Sequence, residues 1–238
     1  MSDCSSKPKM VVDEFIAPVC REHVEILYQD DDILVINKPS GLLSLSGKSP
    51  ANWDSVHYRL VHGQPDITAA FPTAKLIHRL DFGTSGIMVV GLNPESTKHL
   101  NKQFQAGTIK KHYIAILDGW LLNDAGQINA AIAKDKSLFP LVKICNVMGK
   151  VAVSDYSVLK RLTSPQRTLV QFTPVTGRTH QLRIHSHSIG HPILGCDLYK
   201  NESSEQLAER LQLHASDLFF VHPQSLKNIH FHCSQPFS

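Results

Sequence analysis

The chain has 238 residues, 42% of them hydrophobic and 19% charged, with a formal net charge of +3. That balance excludes an extended disordered protein and supplies apolar surface for one large domain or two small ones. No apolar run approaches the roughly 18 residues of a membrane-spanning helix. The N-terminus lacks an apolar leader, and Cys4, Cys20, Cys145, Cys196 and Cys233 are scattered without a CxxC pair. A cytoplasmic protein with no disulfide framework and no membrane association is therefore expected.

Taken in chain order, residues 1–22 are polar and proline-broken, the pattern of a flexible extension. Val24 to Tyr28 and Ile33 to Asn37 are β-rich runs separated by Gln29-Asp30-Asp31-Asp32, a predicted hairpin that Lys38-Pro39-Ser40-Gly41 ends. Leu76 and Ile77 lead into a Gly/Ser/Thr-rich turn, and Ile87 to Gly91 reads as a buried strand. The clearest helix follows: Asn93 can cap it, Pro94 opens it, Leu100 and Phe104 share a face, and Gly107 can stop it. Tyr113 to Leu117, Ala152 to Leu159 and Thr168 to Thr173 are predicted strands. Thr179 to Ile189 is a predicted helix stopped by Gly190, and Ser204 to Leu213 a second short one. Leu218 to Val221 and Ile229 to His232 close the chain as strands. Strands outnumber helices without regular alternation, so the expected class is α+β with a largely antiparallel sheet. No composition shift marks a second domain within 23–238.

The charge is unevenly placed. Ser96 to Leu117 holds Lys98, Lys102, Lys110 and Lys111 with no acid, and Tyr156 to Cys196 holds Lys160, Arg161, Arg167, Arg178 and Arg183, again with none. The remainder of the chain is net negative, so one basic face on an acidic body is expected, the footprint of a phosphate-rich partner.

Two segments carry chemistry. In His78-Arg79-Leu80-Asp81-Phe82-Gly83-Thr84-Ser85-Gly86 a carboxylate stands in a loop between apolar strands, followed by small residues that let another backbone approach. Loops held by rigid strands are where catalytic groups concentrate, although an isolated loop Asp more often caps its own turn. In Arg178-Thr179-His180-Gln181-Leu182-Arg183-Ile184-His185 two guanidinium groups flank a predicted helix start, where an anion is favoured. Arg183 has the geometry to fork onto a carboxylate and keep it ionised.

Together these segments resemble the RluA family of pseudouridine synthases. Ile36-Asn37-Lys38-Pro39-Ser40-Gly41-Leu42, Lys110-Lys111-His112-Tyr113 and Leu213-His214-Ala215 match further family landmarks, all in the family's order. The resemblance implies a mixed, mostly antiparallel β-sheet with peripheral helices and a central catalytic cleft. It implies uridine isomerisation in structured RNA with no cofactor and no metal. Asp81 would be the nucleophile, Tyr113 the tyrosine packed on the target base, and Arg183 the arginine paired with Asp81. Arg79 would fill the place of the flipped uridine. Phe82-Gly83 after the aspartate is a variable pair in the family's motif, and there Phe82 is placed to touch the neighbouring nucleotide. The basic windows, rather than the resemblance, assign phosphate contacts to Lys98, Lys102, Lys110, Lys111 and Arg178. Residues 1–22 leave no room for the S4-type RNA-binding domain that many members carry. That points to the RluA branch, a monomer acting on large-subunit rRNA and the tRNA anticodon stem-loop.

Two rivals stand beside this reading. His185, His187, His191 and Cys196, with His230-Phe231-His232-Cys233, offer the donor types of a zinc site. A catalytically silent RNA-binding module on the same fold is the other, and the presence of Asp81, Tyr113 and Arg183 speaks against it. Hydrolysis of a glycosidic bond usually takes two carboxylates. The acids nearest Asp81 in sequence, Asp66 and Glu95, belong to no matched motif, so isomerisation is the better fit. Residues 120–150 match no motif and are left as an RNA-clamping hairpin or plain surface.

Overall fold

The computed structural model describes residues 15–64, 70–135, 137–138 and 140–237. The strands are β1 (Glu25–Gln29), β2 (Ile33–Lys38), β3 (Lys75–Leu76), β4 (Ser85–Gly91), β5 (Lys110–Asp118), β6 (Ala125–Asn129), β7 (Ile132–Lys134), β8 (Val142–Ile144), β9 (Val153–Thr163), β10 (Gln166–Pro174), β11 (Leu213–Val221) and β12 (Asn228–His232). The helices are α1 (Val56–His62), α2 (Pro94–Ala106) and α3 (Gln181–Ser188). Ten strands make one sheet in the order β1-β2-β4-β11-β5-β10-β9-β6, with β3 added to β4 and β12 to β11. The pair β7-β8 stands apart as a two-stranded sheet. Every ladder is antiparallel except β4 with β11, so the sheet is mixed and mostly antiparallel.

The sheet centre follows from period-2 patterning on strands covered on both faces. Leu34, Ile36, Met88 and Val90 pack with Val56 and Leu60 of α1, whereas Ile33, Val35, Ile87 and Val89 face Leu100 and Phe104 of α2. Each fully buried aliphatic side chain here stabilises the fold by about 1.5–3 kcal/mol. A third cluster joins Ala115, Leu117, Val170 and Phe172 of β5 and β10 to Leu182 and Ile184 of α3.

Local signals set the helix ends. The Asn93 side chain accepts the Ser96 N–H at 2.8 Å, Pro94 occupies the first turn, and Gly107 ends α2 in the left-handed region at φ 68°. Helix α1 escaped the sequence reading, although Ser55 caps it and Gly63 follows it at φ 86°; seven residues give too short a period to stand out. Helix α3 begins at Gln181 rather than Thr179, because His180 sits at φ 53° as its left-handed cap.

The predicted helix over Ser204–Leu213 is absent. Leu213 opens β11, and the residues before it form turns that close on Asp118 and Gly195. Asn201 and Ser203 donate to Asp118 Oδ2, the Gly195 N–H donates to the Ser204 carbonyl at 2.7 Å, and Gln212 N–H to Leu194 at 2.9 Å. These tertiary bonds take the backbone groups a helix would have used.

Of the expected extension, residues 1–14 lie outside the described residues. Residues 15–22 run along the body: Ala17 N–H donates to Asn52 Oδ1 at 2.8 Å, and Arg59 donates to the carbonyls of Cys20 and Glu22. Among the described residues no helix is long and apolar enough to cross a membrane.

Candidate active site

Asp81 stands in the loop before β4, and the segment after β2 holds that loop. Ser44 Oγ donates to the Leu80 carbonyl at 2.7 Å, Gly41 N–H to Phe82 at 3.0 Å, and Ser40 Oγ to Gly83 at 2.7 Å. The Asp81 carbonyl accepts the Thr84 N–H at 3.1 Å. Lys38, fully buried, aims its ammonium at Pro39, Phe82 and Thr84 carbonyls at 2.8, 3.2 and 2.9 Å. Five successive carbonyls, Leu80 to Thr84, are thus all bonded, and Asp81 is presented on a loop with little freedom. Burial pushes the Lys38 pKa down to about 7, against the pull of Cys20 and Asp81. The sequence reading missed this cradle, although its residues sit in the matched Lys38-Pro39-Ser40-Gly41 segment.

The small residues after Asp81 have structural causes. Gly86 has φ 117°, and a Cβ there would lie 2.3 Å from the Ala215 carbonyl oxygen, because parallel β4 and β11 meet at that point. Ser85 bonds His214 Nδ1 at 2.9 Å and receives Arg210 at 2.5 Å, which ties the Leu213-His214-Ala215 segment to the loop.

A cleft of about 610 Å³ opens above Asp81, walled by β5, α2, α3 and the segment Pro174–Thr179. Tyr113 lines it from β5, and its phenol is held well above the usual range by burial and then by the Asp81 charge. Lys111, also cleft-lining, lies 5.8 Å from the Phe104 ring centroid, and burial lowers its pKa. His78 stacks on Phe104 at 4.7 Å, and burial followed by the Lys111 charge drives its pKa to about 3. Its Nε2 accepts the Val89 N–H at 3.1 Å, so the ring is neutral and anchors β4.

Helix α3 forms the opposite wall. Gln181 braces it: its amide donates to Val153 O and Ser154 Oγ, and its oxygen accepts Arg178 N–H and Thr176 Oγ. Arg183 is buried in the wall and its partner is not the expected one. Its guanidinium donates to the Asp197 carboxylate and, from Nε and one terminal nitrogen, to the Cys196 sulfur at 3.4 Å each, and Asp81 forms neither ion pair nor hydrogen bond with it. Burial disfavours the Arg183 charge, but Cys196, Asp197 and Asp81 together raise its pKa. The physical reason lies in the loop after α3, which reaches the guanidinium first. Tyr199 of that loop lies 3.0 Å from His180 Nδ1 through its hydroxyl and accepts the Val142 N–H of β8. None of Cys196, Asp197 and Tyr199 was singled out for this role, and no spacing in the sequence ties them to Arg183.

Arg79, Lys111 and Arg178 of the expected RNA contacts line the cleft. Phe82 lies outside it with its ring edge-on to Phe15 at 5.3 Å. Lys110 precedes Lys111 on β5 and so points to the opposite sheet face. Lys98 and Lys102 line a neighbouring groove. Of the zinc-type donors, His185 is bonded to Ser154 and Ala130, His191 to the Asp118 carbonyl, and Cys196 to Arg183. Asp66 lies outside the described residues, and Glu95 does not line the cleft. Residues 120–150 contribute β6 to the sheet edge and the β7-β8 hairpin, which Tyr199 ties to the α3 wall.

The family model described as RNA pseudouridylate synthase matches residues 32–188. A protein named dual-specificity RNA pseudouridine synthase RluA from Yersinia pestis is 43% identical over 212 residues, covering 89% of this chain and 99% of that one. A protein of the same name from Haemophilus ducreyi is 42% identical over 223 residues, covering 92% and 97%. Among solved structures, human RNA pseudouridylate synthase domain containing 1 superposes with a TM-score of 0.74 at 28% identity, covering 93% of this chain and 87% of that one. Human RNA pseudouridylate synthase domain containing 4 gives 0.67 at 26% identity, covering 89% and 88%.

Proposed function

The chain belongs to the RNA pseudouridylate synthase family of isomerases, and from that premise we propose that it converts uridine to pseudouridine in folded RNA with Asp81 as nucleophile. The dual specificity named for its relatives and the family resemblance support large-subunit rRNA and the tRNA anticodon stem-loop as substrates. A monomer in the cytoplasm completes the reading; the described cysteines are unpaired.

One observation carries it. Asp81 is the sole carboxylate among the described residues that line the cleft, facing Arg79, Lys111, Arg178 and Arg183. A cleft with one nucleophilic anion among four cations suits a polyanionic substrate whose reaction needs no second acid.

The reaction breaks the N1–C1′ bond and forms C5–C1′; the C5 proton leaves, N1 gains one, and nothing else is exchanged. The target must first leave the RNA stack, at a cost of a few kcal/mol. Arg79, exposed at the rim, takes its place, and Tyr113 stacks on the extruded base for about 1–3 kcal/mol. The Asp81 carboxylate attacks C1′ and uracil departs with the N1 electron pair. The base turns, C5 attacks C1′, and Asp81 is released. Arg183, kept charged in its buried setting, supplies a fixed positive field while negative charge passes from Asp81 to uracil. Tyr113 enters the cycle as a phenol, because burial and Asp81 disfavour the phenolate.

The test compares wild type with Asp81→Asn on an anticodon stem-loop and an rRNA fragment, with pseudouridine mapped chemically. The variant is expected to lose at least about 10³-fold in rate while still binding RNA. Equal modification by both proteins removes Asp81 from the mechanism.

A further inference from the structure

Beside the catalytic cleft lies a second, more open groove of about 1050 Å³, between the outer face of α2 and the segment 72–75. Lys75, Lys98, Lys102, Asn93, Asn101 and Gln105 supply its polar walls, and no carboxylate lines it among the described residues. Gln105 lines the cleft as well, so the two depressions meet at that side chain. Helical spacing explains the layout. Lys98, Lys102 and Gln105 stand four and three residues apart, on one face, while Leu100 and Phe104 occupy the buried face. From Lys98 to Gln105 the stripe runs about 10 Å along the axis and ends at the cleft.

Glu95 and Asp32 meet α2 at its N-terminal end, away from the cleft. Glu95 is exposed in the first turn of α2, and Asp32 is already bonded by Asn93 and Ser96. Neutral amides between the lysines suit sugar hydroxyls and phosphate oxygens, contacts that fix register without reading sequence.

We propose that this groove is a track for the sugar-phosphate backbone of the strand on one side of the reacting uridine. The inference rests on the RNA-isomerase reading above and adds that the enzyme grips nucleotides beyond the flipped one. Because the charges are ammonium groups on flexible stems, the grip is electrostatic, salt-dependent and indifferent to base identity.

The experiment measures binding and steady-state turnover of Lys75→Glu/Lys98→Glu/Lys102→Glu on two RNAs, a stem-loop with flanking strands and the same loop trimmed to its closing pairs. All three lysines are exposed; if the triple variant does not fold, Lys98→Gln/Lys102→Gln serves in its place. On the long RNA, affinity is expected to fall at least about tenfold, the salt slope to drop by about 2, and the loss to lie in KM rather than kcat. On the trimmed RNA the penalty shrinks to within about twofold. Wild-type affinity and salt slope on the long RNA overturn the track while leaving the isomerase reading intact. So does an equal penalty on both RNAs, and so does a wild-type enzyme indifferent to flanking length, which would leave the groove to an acidic protein. Failure of the wild-type enzyme to isomerise either RNA removes the isomerase reading itself.

Discussion

Lys38 sets how firmly Asp81 is presented. Three carbonyls converge on its ammonium in a site with no solvent access. Lys38→Met keeps the volume but takes the donor from the Pro39 and Thr84 carbonyls, each at about 1–3 kcal/mol, while Phe82 keeps the Gly41 N–H, so a loss of roughly 2 kcal/mol or more is expected in urea unfolding. The same residue predicts a pH effect. Its folded pKa of about 7 lies below the ordinary 10.5, so between those values the unfolded chain binds the extra proton. The stability contribution of Lys38 therefore rises with pH across that window, and Lys38→Met should lose that part of the slope. A slope unchanged in the variant would show that the ammonium is not the group responsible. Arg183 shows the complementary lesson: a guanidinium assigned to one aspartate is taken by another, Asp197, because that loop lies closer.

At the level of elements, the parallel meeting of β4 and β11 is the joint on which the site depends. It brings Ser85 to His214 and Gly86 to Ala215, and it places the Asp81 loop across from Tyr113 of β5. Gly86→Ala puts a Cβ where the Ala215 backbone already lies, at a φ that disfavours any side chain. A cost on the order of 3 kcal/mol is expected. Hydrogen exchange should show β4 and β11 losing protection while the β9-β10 hairpin, distant from the joint, keeps it. Uniform loss across the sheet would mean that the joint is no separate unit.

Across the whole molecule, neutral buried histidines make the fold sensitive to acid. Burial drives His78, in the segment between β3 and β4, to about 3 and His214 of β11 to about 4. Between these values and the ordinary 6.5 the unfolded chain binds more protons, so stability falls as pH drops below about 6.5. Urea midpoints from pH 7 to 5 should decline, and His214→Asn should flatten the decline; an identical decline in the variant would exclude that histidine. The Asp81 loop, the Arg178–His185 segment, helix α2 and the period-2 strands were legible in the sequence, since caps, periodicity and motif order reside within a few neighbouring residues. The Lys38 cradle, the Asp197 and Cys196 clamp, the loss of the helix at Ser204–Leu213 and the union of two depressions at Gln105 were decided by the tertiary structure alone. Each depends on hydrogen bonds or contacts between segments distant in sequence, whose meeting is set by sheet register rather than by local preference.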